Sequence, residues 1–99
     1  MHAIHVVHLD KARPAIVLTR DSARPLLSKW TVAPITSTIR GLVSEVPLGR
    51  RNGLDHDCVA SVDNVATIPA VAVGRLIGFL DEDDEHALTT ALARAFDLI

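Results

Sequence analysis

A chain of 99 residues with a net charge of −2 and 48% hydrophobic residues is one domain with one modest core. Only Trp30, Phe79 and Phe96 are aromatic, so that core is aliphatic, and so much apolar surface on a small domain leads us to expect a self-associating face. The single cysteine, Cys58, excludes an internal disulfide, no charged-then-apolar leader opens the chain, and the apolar stretch 66–80 holds Pro69 and Arg75 and is too short for a bilayer: we expect a cytoplasmic protein with no membrane span.

Aliphatic and β-branched residues between turn-like breaks predict a first strand over 2–9 and a second over 14–20, joined tightly by Asp10, Lys11 and Ala12. Asp21 can cap one or two helical turns reaching Ser28, with Pro25 early in them. A third strand is expected over 30–36, where Pro34, lacking an N–H for the ladder, argues for an edge position or a bulge. A loop at 37–41 leads to a fourth strand over 42–48 and a glycine-flanked turn at 49–53. A fifth strand follows over 58–62, then a short transition over 63–68 and a short strand or turn over 71–80, ending in a bend at Gly78.

The clearest element comes last. Leu88, Ala91, Leu92, Ala95 and Phe96 recur at helical spacing and form one apolar stripe. Asp81 is its N-cap, and Glu82, Asp83, Asp84 and Glu85 sit at the positive end of the helix dipole, which explains the acidic run without a ligand. The chain thus reads as α+β, a single domain over 1–99 built as a small, bent antiparallel sheet or partly open barrel with a helix against it.

Net acidity argues at first against a nucleic-acid partner, since phosphate contacts need Lys and Arg. The charge is unevenly distributed, however. Through Ala60 basic residues outnumber acidic ones, and from Ser61 onward only Arg75 and Arg94 oppose the acid.

Arg13-Pro14 leads into the apolar run 15–19, and a second run, 32–37, ends in the hydroxyl pair Thr36-Ser37. Followed in order by 42–48, 54–59, 62–68 and 76–80 before the closing helix, these segments resemble the signature series of the MazF/PemK family of toxin endoribonucleases over nearly the whole chain. The resemblance implies a small SH3-like antiparallel β-barrel with a C-terminal α-helix, the CcdB/Kid/MazF-like fold. It also implies a homodimer with its RNA groove near the subunit boundary, no cofactor and no metal, and an antitoxin protein that inhibits by binding. The activity implied is that of a type II toxin cutting RNA selectively by attack of the ribose 2′-hydroxyl, leaving 2′,3′-cyclic phosphate and 5′-hydroxyl ends. Two rivals stand beside it. The same fold serves non-enzymatic toxins that bind gyrase, which a supercoiling assay would expose, and a small barrel can act purely as an adaptor.

Metal-free RNA cleavage needs a proton acceptor, a donor for the leaving 5′-oxygen and positive charge on the phosphoryl oxygens. Arg13 suits the last task, since a guanidinium binds two phosphate oxygens at once and stays protonated. The resemblance makes Arg13 and Thr36 the catalytic residues; alone, an exposed arginine and a strand-end threonine have ordinary surface and turn roles. Ser37, Lys11, Arg50 and Arg51 are candidate RNA contacts, the last two in a glycine-flanked turn that could equally be solubilising. Of the five histidines, His8 and His56 are the candidate proton shuttles, against the simpler reading of packed or surface side chains. Neither the His2, His5, His8 spacing nor His56 near Cys58 makes a metal set, and Cys58 has no partners for a nucleophilic role. The connection 10–12 is shorter than the family's glycine-containing first loop, and with so few aromatics Trp30 is the one platform for base stacking.

Overall fold

The eight residues Lys29–Thr36 form the strand on which the rest of the sheet is assembled. In the computed structural model, which describes residues 1–99, the chain runs β1 (Ala3–His8), β2 (Ala12–Val17), β3 (Lys29–Thr36), β4 (Glu45–Leu48), β5 (Cys58–Ser61), β6 (Ala66–Pro69), β7 (Val73–Phe79) and α1 (Glu82–Ala95). Short 3₁₀ turns occupy Arg24–Leu26, Arg50–Asn52, Val62–Asn64 and Ala70–Ala72. The strand order is β4-β5-β3-β2-β1-β7, with β6 also on β3, and every pairing is antiparallel. On one edge β3 holds β2; on the other it holds β6 as far as Val32 and β5 from Ile35 onward. Switching partners along one strand curls the sheet into a half-barrel, as the resemblance implies.

Pro34 sits in this central strand, away from the expected edge or bulge. The Thr31 carbonyl accepts from the Leu18 amide at 2.8 Å and the Thr31 amide donates to Thr19 Oγ1 at 2.8 Å, so Thr31 faces β2. Backbone groups alternate along a strand, and Pro34 therefore faces the opposite edge, at the gap between the last β6 pair and the first β5 pair. Its missing N–H falls where no ladder partner stands.

Pleating separates two cores. Ile4, Ile16, Ala33 and Ile35 face α1 and join Val46, Leu48, Ala60, Leu80, Leu88 and Ala91 in a twelve-residue cluster. The alternate residues Val7, Ala15, Val17 and Val32 join Ile68 in a five-residue cluster on the other face, against Trp30 and Val73. Both clusters are aliphatic, as the composition requires. The helix stripe is only partly buried: Leu88 and Ala91 are inside, Leu92 and Ala95 half-buried, and Phe96 is 55% exposed as the C-cap residue.

Three expectations need correction. The transition over 63–68 contains a strand, β6, which takes up the free edge of β3. The last short strand or turn is the seven-residue β7, paired with β1, and Gly78 lies inside it opposite Ile4. A Cβ on Gly78 would stand 2.0 Å from the Asn52 carbonyl oxygen, so this glycine permits close approach of the Arg50–Asn52 turn where a bend was expected. The fourth strand begins at Glu45 because the amides of Arg40, Gly41 and Leu42 donate to the Glu45 carboxylate and leave the ladder.

The start of α1 is locked to that turn. Asp81 accepts from the Asp84 amide at 2.8 Å while Asp84 Oδ2 accepts from the Asp81 amide at 3.0 Å, a reciprocal capping box. Asn52 donates to Asp84 Oδ2 at 2.7 Å and to the Phe79 carbonyl at 3.1 Å, and accepts from the Gly49 amide at 3.0 Å. Burial pushes the Asp84 carboxyl pKa up, but hydrogen bonds from the Asp81 amide, Arg51 and Asn52 outweigh it and hold the pKa below the usual carboxylate value. No helix is long and apolar enough to cross a membrane.

Candidate active site

Arg13 and Thr36 come from neighbouring strands and share one face of the sheet. The pairing of β2 with β3 ends at Ala15 and Pro34, and the alternation of each strand places Arg13 and Thr36, each two residues beyond that last pair, on the same face. Val7 pairs with Arg13, while Val59 pairs with both Thr36 and Pro47, so two short rows on the same face end at Arg13 and at Thr36. Val7 and Val59 are buried, Thr36 is half-buried and Arg13 is exposed. The charged group and the hydroxyl are therefore held beside apolar neighbours on rigid backbone. No carboxylate lies within ion-pair range of Arg13, which leaves its guanidinium available to an external anion.

Thr36 Oγ1 accepts from the Thr38 amide at 3.1 Å. That bond is the strand-end turn contact expected of any threonine here, and it also orients the hydroxyl, because an oxygen anchored as acceptor keeps its own proton free to donate. Ser37 lies exposed just past the strand. Lys11 is exposed in the β1–β2 connection, two residues before Arg13.

Beside Thr36 opens a hollow of about 290 Å³ lined by Thr36, Thr38, Arg40, Leu42, Glu45, Ser61, Asp63 and Asn64. Apart from Thr36, none of these stands out in the sequence. They meet because β4 pairs with β5, bringing Glu45 opposite Ser61, and because the Val62–Asn64 turn follows directly; that register leaves no trace in spacing.

The remaining candidates separate from these rows. Arg50 is exposed and donates through Nε to the Asp55 carbonyl at 3.3 Å. Arg51 is clamped to the helix start: it pairs with the buried Asp84, lies 3.5 Å from Asp81 and donates to the Pro47 carbonyl at 3.2 Å. It serves the cap, whereas the turn composition suggested a free cation. His8 pairs with Ala12 at the end of β1 and alternates with Val7, so it projects to the face opposite Arg13, where its ring covers Gly74. His56 is hydrogen-bonded to Asp55, which lines a different hollow with Val6, Pro14, Leu54 and Arg75. Val6 and Pro14 alternate with Val7 and Arg13, so that hollow lies on the other face as well. Neither histidine lines the hollow beside Thr36: strand alternation turns His8 to the other face, and His56 sits in the loop before β5.

His2 is engaged by Glu85 at 2.6 Å and His5 by the Gly74 carbonyl at 2.8 Å, and no three His, Cys, Asp or Glu side chains converge as a metal cluster. Burial, then the nearby Asp57 and Asp55 charges, push the Cys58 thiol pKa up, so it stays protonated and unreactive. Trp30 donates from Nε1 to the Arg24 and Leu27 carbonyls at 3.3 Å, and the Arg24 guanidinium lies 5.7 Å from its ring centroid. One face of the only tryptophan is thus already covered.

A curled antiparallel half-barrel backed by a single C-terminal helix is the architecture of the small α+β toxin barrels. Residues 6–96 match the family of PemK-like, MazF-like toxins of type II toxin-antitoxin systems, and the chain belongs to that family. It is 52% identical over 98 residues to the endoribonuclease MazF3 of Mycobacterium tuberculosis, an alignment covering 99% of this chain and 95% of that one. The M. tuberculosis toxin MazF-mt6 superposes with a TM-score of 0.93 at 52% identity, over 96% of each chain. An endoribonuclease from a mycobacterial species, solved with its cognate antitoxin, shares the fold with a TM-score of 0.87 at 21% identity, over 98% of this chain and 93% of that one. The resemblance read from the sequence is borne out in family, fold and enzyme class.

Proposed function

We propose that this toxin cleaves RNA without a metal, with Arg13 and Thr36 as the catalytic pair. The observation that carries the proposal is their shared face just beyond the last β2–β3 pair, together with a guanidinium that has no internal ion-pair partner competing for it. In the reaction the ribose 2′-oxygen attacks the adjacent phosphorus and the P–O5′ bond breaks. A proton leaves O2′ and another arrives on O5′, giving a 2′,3′-cyclic phosphate and a 5′-hydroxyl. Because the nucleophile is built into the substrate, no metal is needed to generate a hydroxide. Arg13 binds the nonbridging oxygens bidentately as negative charge accumulates, and Thr36 donates its free proton to one of them. An arginine cannot serve as the base at ordinary pH, so its part is electrostatic and donating.

Lys11 and Ser37 flank this pair as phosphate or sugar contacts, Arg50 is a further phosphate contact from a turn apart from it, and Arg51 is committed to the helix cap. A type II toxin has a protein antitoxin, and an acidic, flexible antitoxin segment lying along the same basic face would cover Arg13. The edge strand β7 leaves Leu76 and Phe79 47% and 49% exposed, which supports a homodimer that buries them. The cytoplasm, where RNA substrate and antitoxin are made, is the compartment this activity requires.

The test is end-mapping of a mixed RNA pool cut in excess EDTA, with Arg13→Ala in parallel. Discrete cuts bearing 5′-hydroxyl ends, reduced by roughly 10²–10³-fold in the variant, are expected. Full cutting by a folded Arg13→Ala protein would displace Arg13 from the mechanism.

A further inference from the structure

The cleavage chemistry uses Thr36 but leaves the hollow beside it unexplained, and the polar groups of that hollow are unequally engaged. Thr36 pairs with Val59, Ser61 follows two residues on along the same face, and Glu45 pairs with Ser61, so the hollow continues from Thr36 across the sheet. Glu45 is already occupied, accepting from the amides of Arg40, Gly41 and Leu42 at 2.9–3.2 Å. Asp63 is different: the Ser44 hydroxyl holds Oδ2 and leaves Oδ1 without a partner. Asn64 donates from Nδ2 to Ser61 Oγ at 2.8 Å and likewise keeps its Oδ1 open. Two positioned acceptors are therefore available, on side chains whose other atoms are already anchored. The volume of about 290 Å³ falls just under the usual range for ligand sites, roughly 300–1,000 Å³, room for one planar base and no longer segment.

We infer that this hollow seats the nucleobase next to the scissile phosphate and selects one bearing an exocyclic amine, with Asp63 as the specificity-determining residue. The inference rests on the ribonuclease reading and deepens it. A carboxylate oxygen accepts directly from an amine N–H, as it does from the N4 amine of cytosine. Uracil offers only an N3–H set between two carbonyls, whose lone pairs would face the oxygens of Asp63 and Asn64. Arg40 also lines the hollow and offsets the negative charge of Asp63 and Glu45, so that the RNA backbone is not repelled. Because Ser44 already holds Asp63 in place, little side-chain freedom is lost when the base enters.

Sequencing the new 5′ ends from a random RNA pool, cut by the wild-type protein and by Asp63→Asn, is the test. The wild type should favour an amine-bearing base over uracil by roughly tenfold or more at one fixed position beside the cut. The amide introduced by Asp63→Asn can still accept from Ser44 while presenting N–H to the hollow, so preference at that one position should swing toward uracil. Other positions and the dependence on Arg13 should stay as they were. An unchanged preference in the folded variant overturns the inference and leaves the ribonuclease reading standing. So does a wild-type protein that accepts uracil equally at every position beside its cut, a result that needs no variant at all. Absence of any Arg13-dependent cutting overturns both.

Discussion

At the scale of single residues, Arg13 and Thr36 separate charge from geometry. Arg13→Lys keeps the positive charge and loses the planar fork, so cleavage should fall well below wild type while staying above Arg13→Ala. Thr36→Val removes the donated proton at nearly constant shape, and the single-turnover rate should drop by about 10²-fold, whereas Thr36→Ser should retain most of it. Equal rates for Thr36→Val and wild type would reduce Thr36 to the turn contact it makes with the Thr38 amide. The sequence offers these two residues as candidates because each lies within its own short segment, Arg-Pro before one apolar run and Thr-Ser after another. The hollow beside Thr36 was not legible there, because Glu45, Ser61 and Asp63 are joined only by the register of β4 on β5. Arg51 and His8 mark the opposite failure: composition showed a basic turn and a titratable strand end, but the partner of Arg51 and the face of His8 depend on tertiary packing and on pleat parity.

At the scale of elements, the helix was readable from periodicity and its cap from Asp81, while β6 and β7 were not. Four residues at 66–69 carry no alternation strong enough to announce a strand, and β7 is irregular against β1, with register shifts around His5. The cap holds more than local information as well. Asp84 is buried and binds the Asp81 amide, Asn52 and Arg51 at once, so the helix start and the Arg50–Asn52 turn share one carboxylate, and Asn52 extends the link to the Phe79 carbonyl at the end of β7. Arg51 is half-exposed and solvent screens that arm, which leaves the buried hydrogen bonds as the larger contribution. Asp84→Ala should therefore destabilise the domain by roughly 1–3 kcal/mol, a fall of several degrees or more in Tm for a domain of this size. The pH dependence follows from the lowered carboxyl pKa. Stability from this group is complete above the unfolded value of about 3.9 and is lost as the pH falls through the lower folded value. Thermal melts of wild type and Asp84→Asn between about pH 5 and pH 2 check it: the variant should start less stable and decline less steeply.

At the scale of the whole molecule, the acidic run that makes the chain net negative is gathered at one helix start, where Asp81 and Asp84 are used in capping, so net charge says little about the face that meets RNA. The same separation bears on assembly. The half-barrel closes β3 between partners on both edges but leaves β7 at the end of the sheet, with Leu76 and Phe79 about half exposed and Phe96 exposed at the helix end. An unprotected apolar edge of this kind invites pairing with a second chain. Phe79→Glu places a charge on that edge without touching either core, since the Phe79 backbone carbonyl, bonded to Asn52, is retained. Sedimentation equilibrium of the variant should report the mass of one chain where wild type reports two, with the thermal transition of the monomer still cooperative. If the RNA groove spans the subunit boundary, cleavage at low protein concentration should fall with dimer content, and raising the concentration of the variant should restore it. A monomeric variant that cuts as fast as wild type at every concentration would place the whole of the proposed cleavage site, from Arg13 to Asp63, within a single subunit.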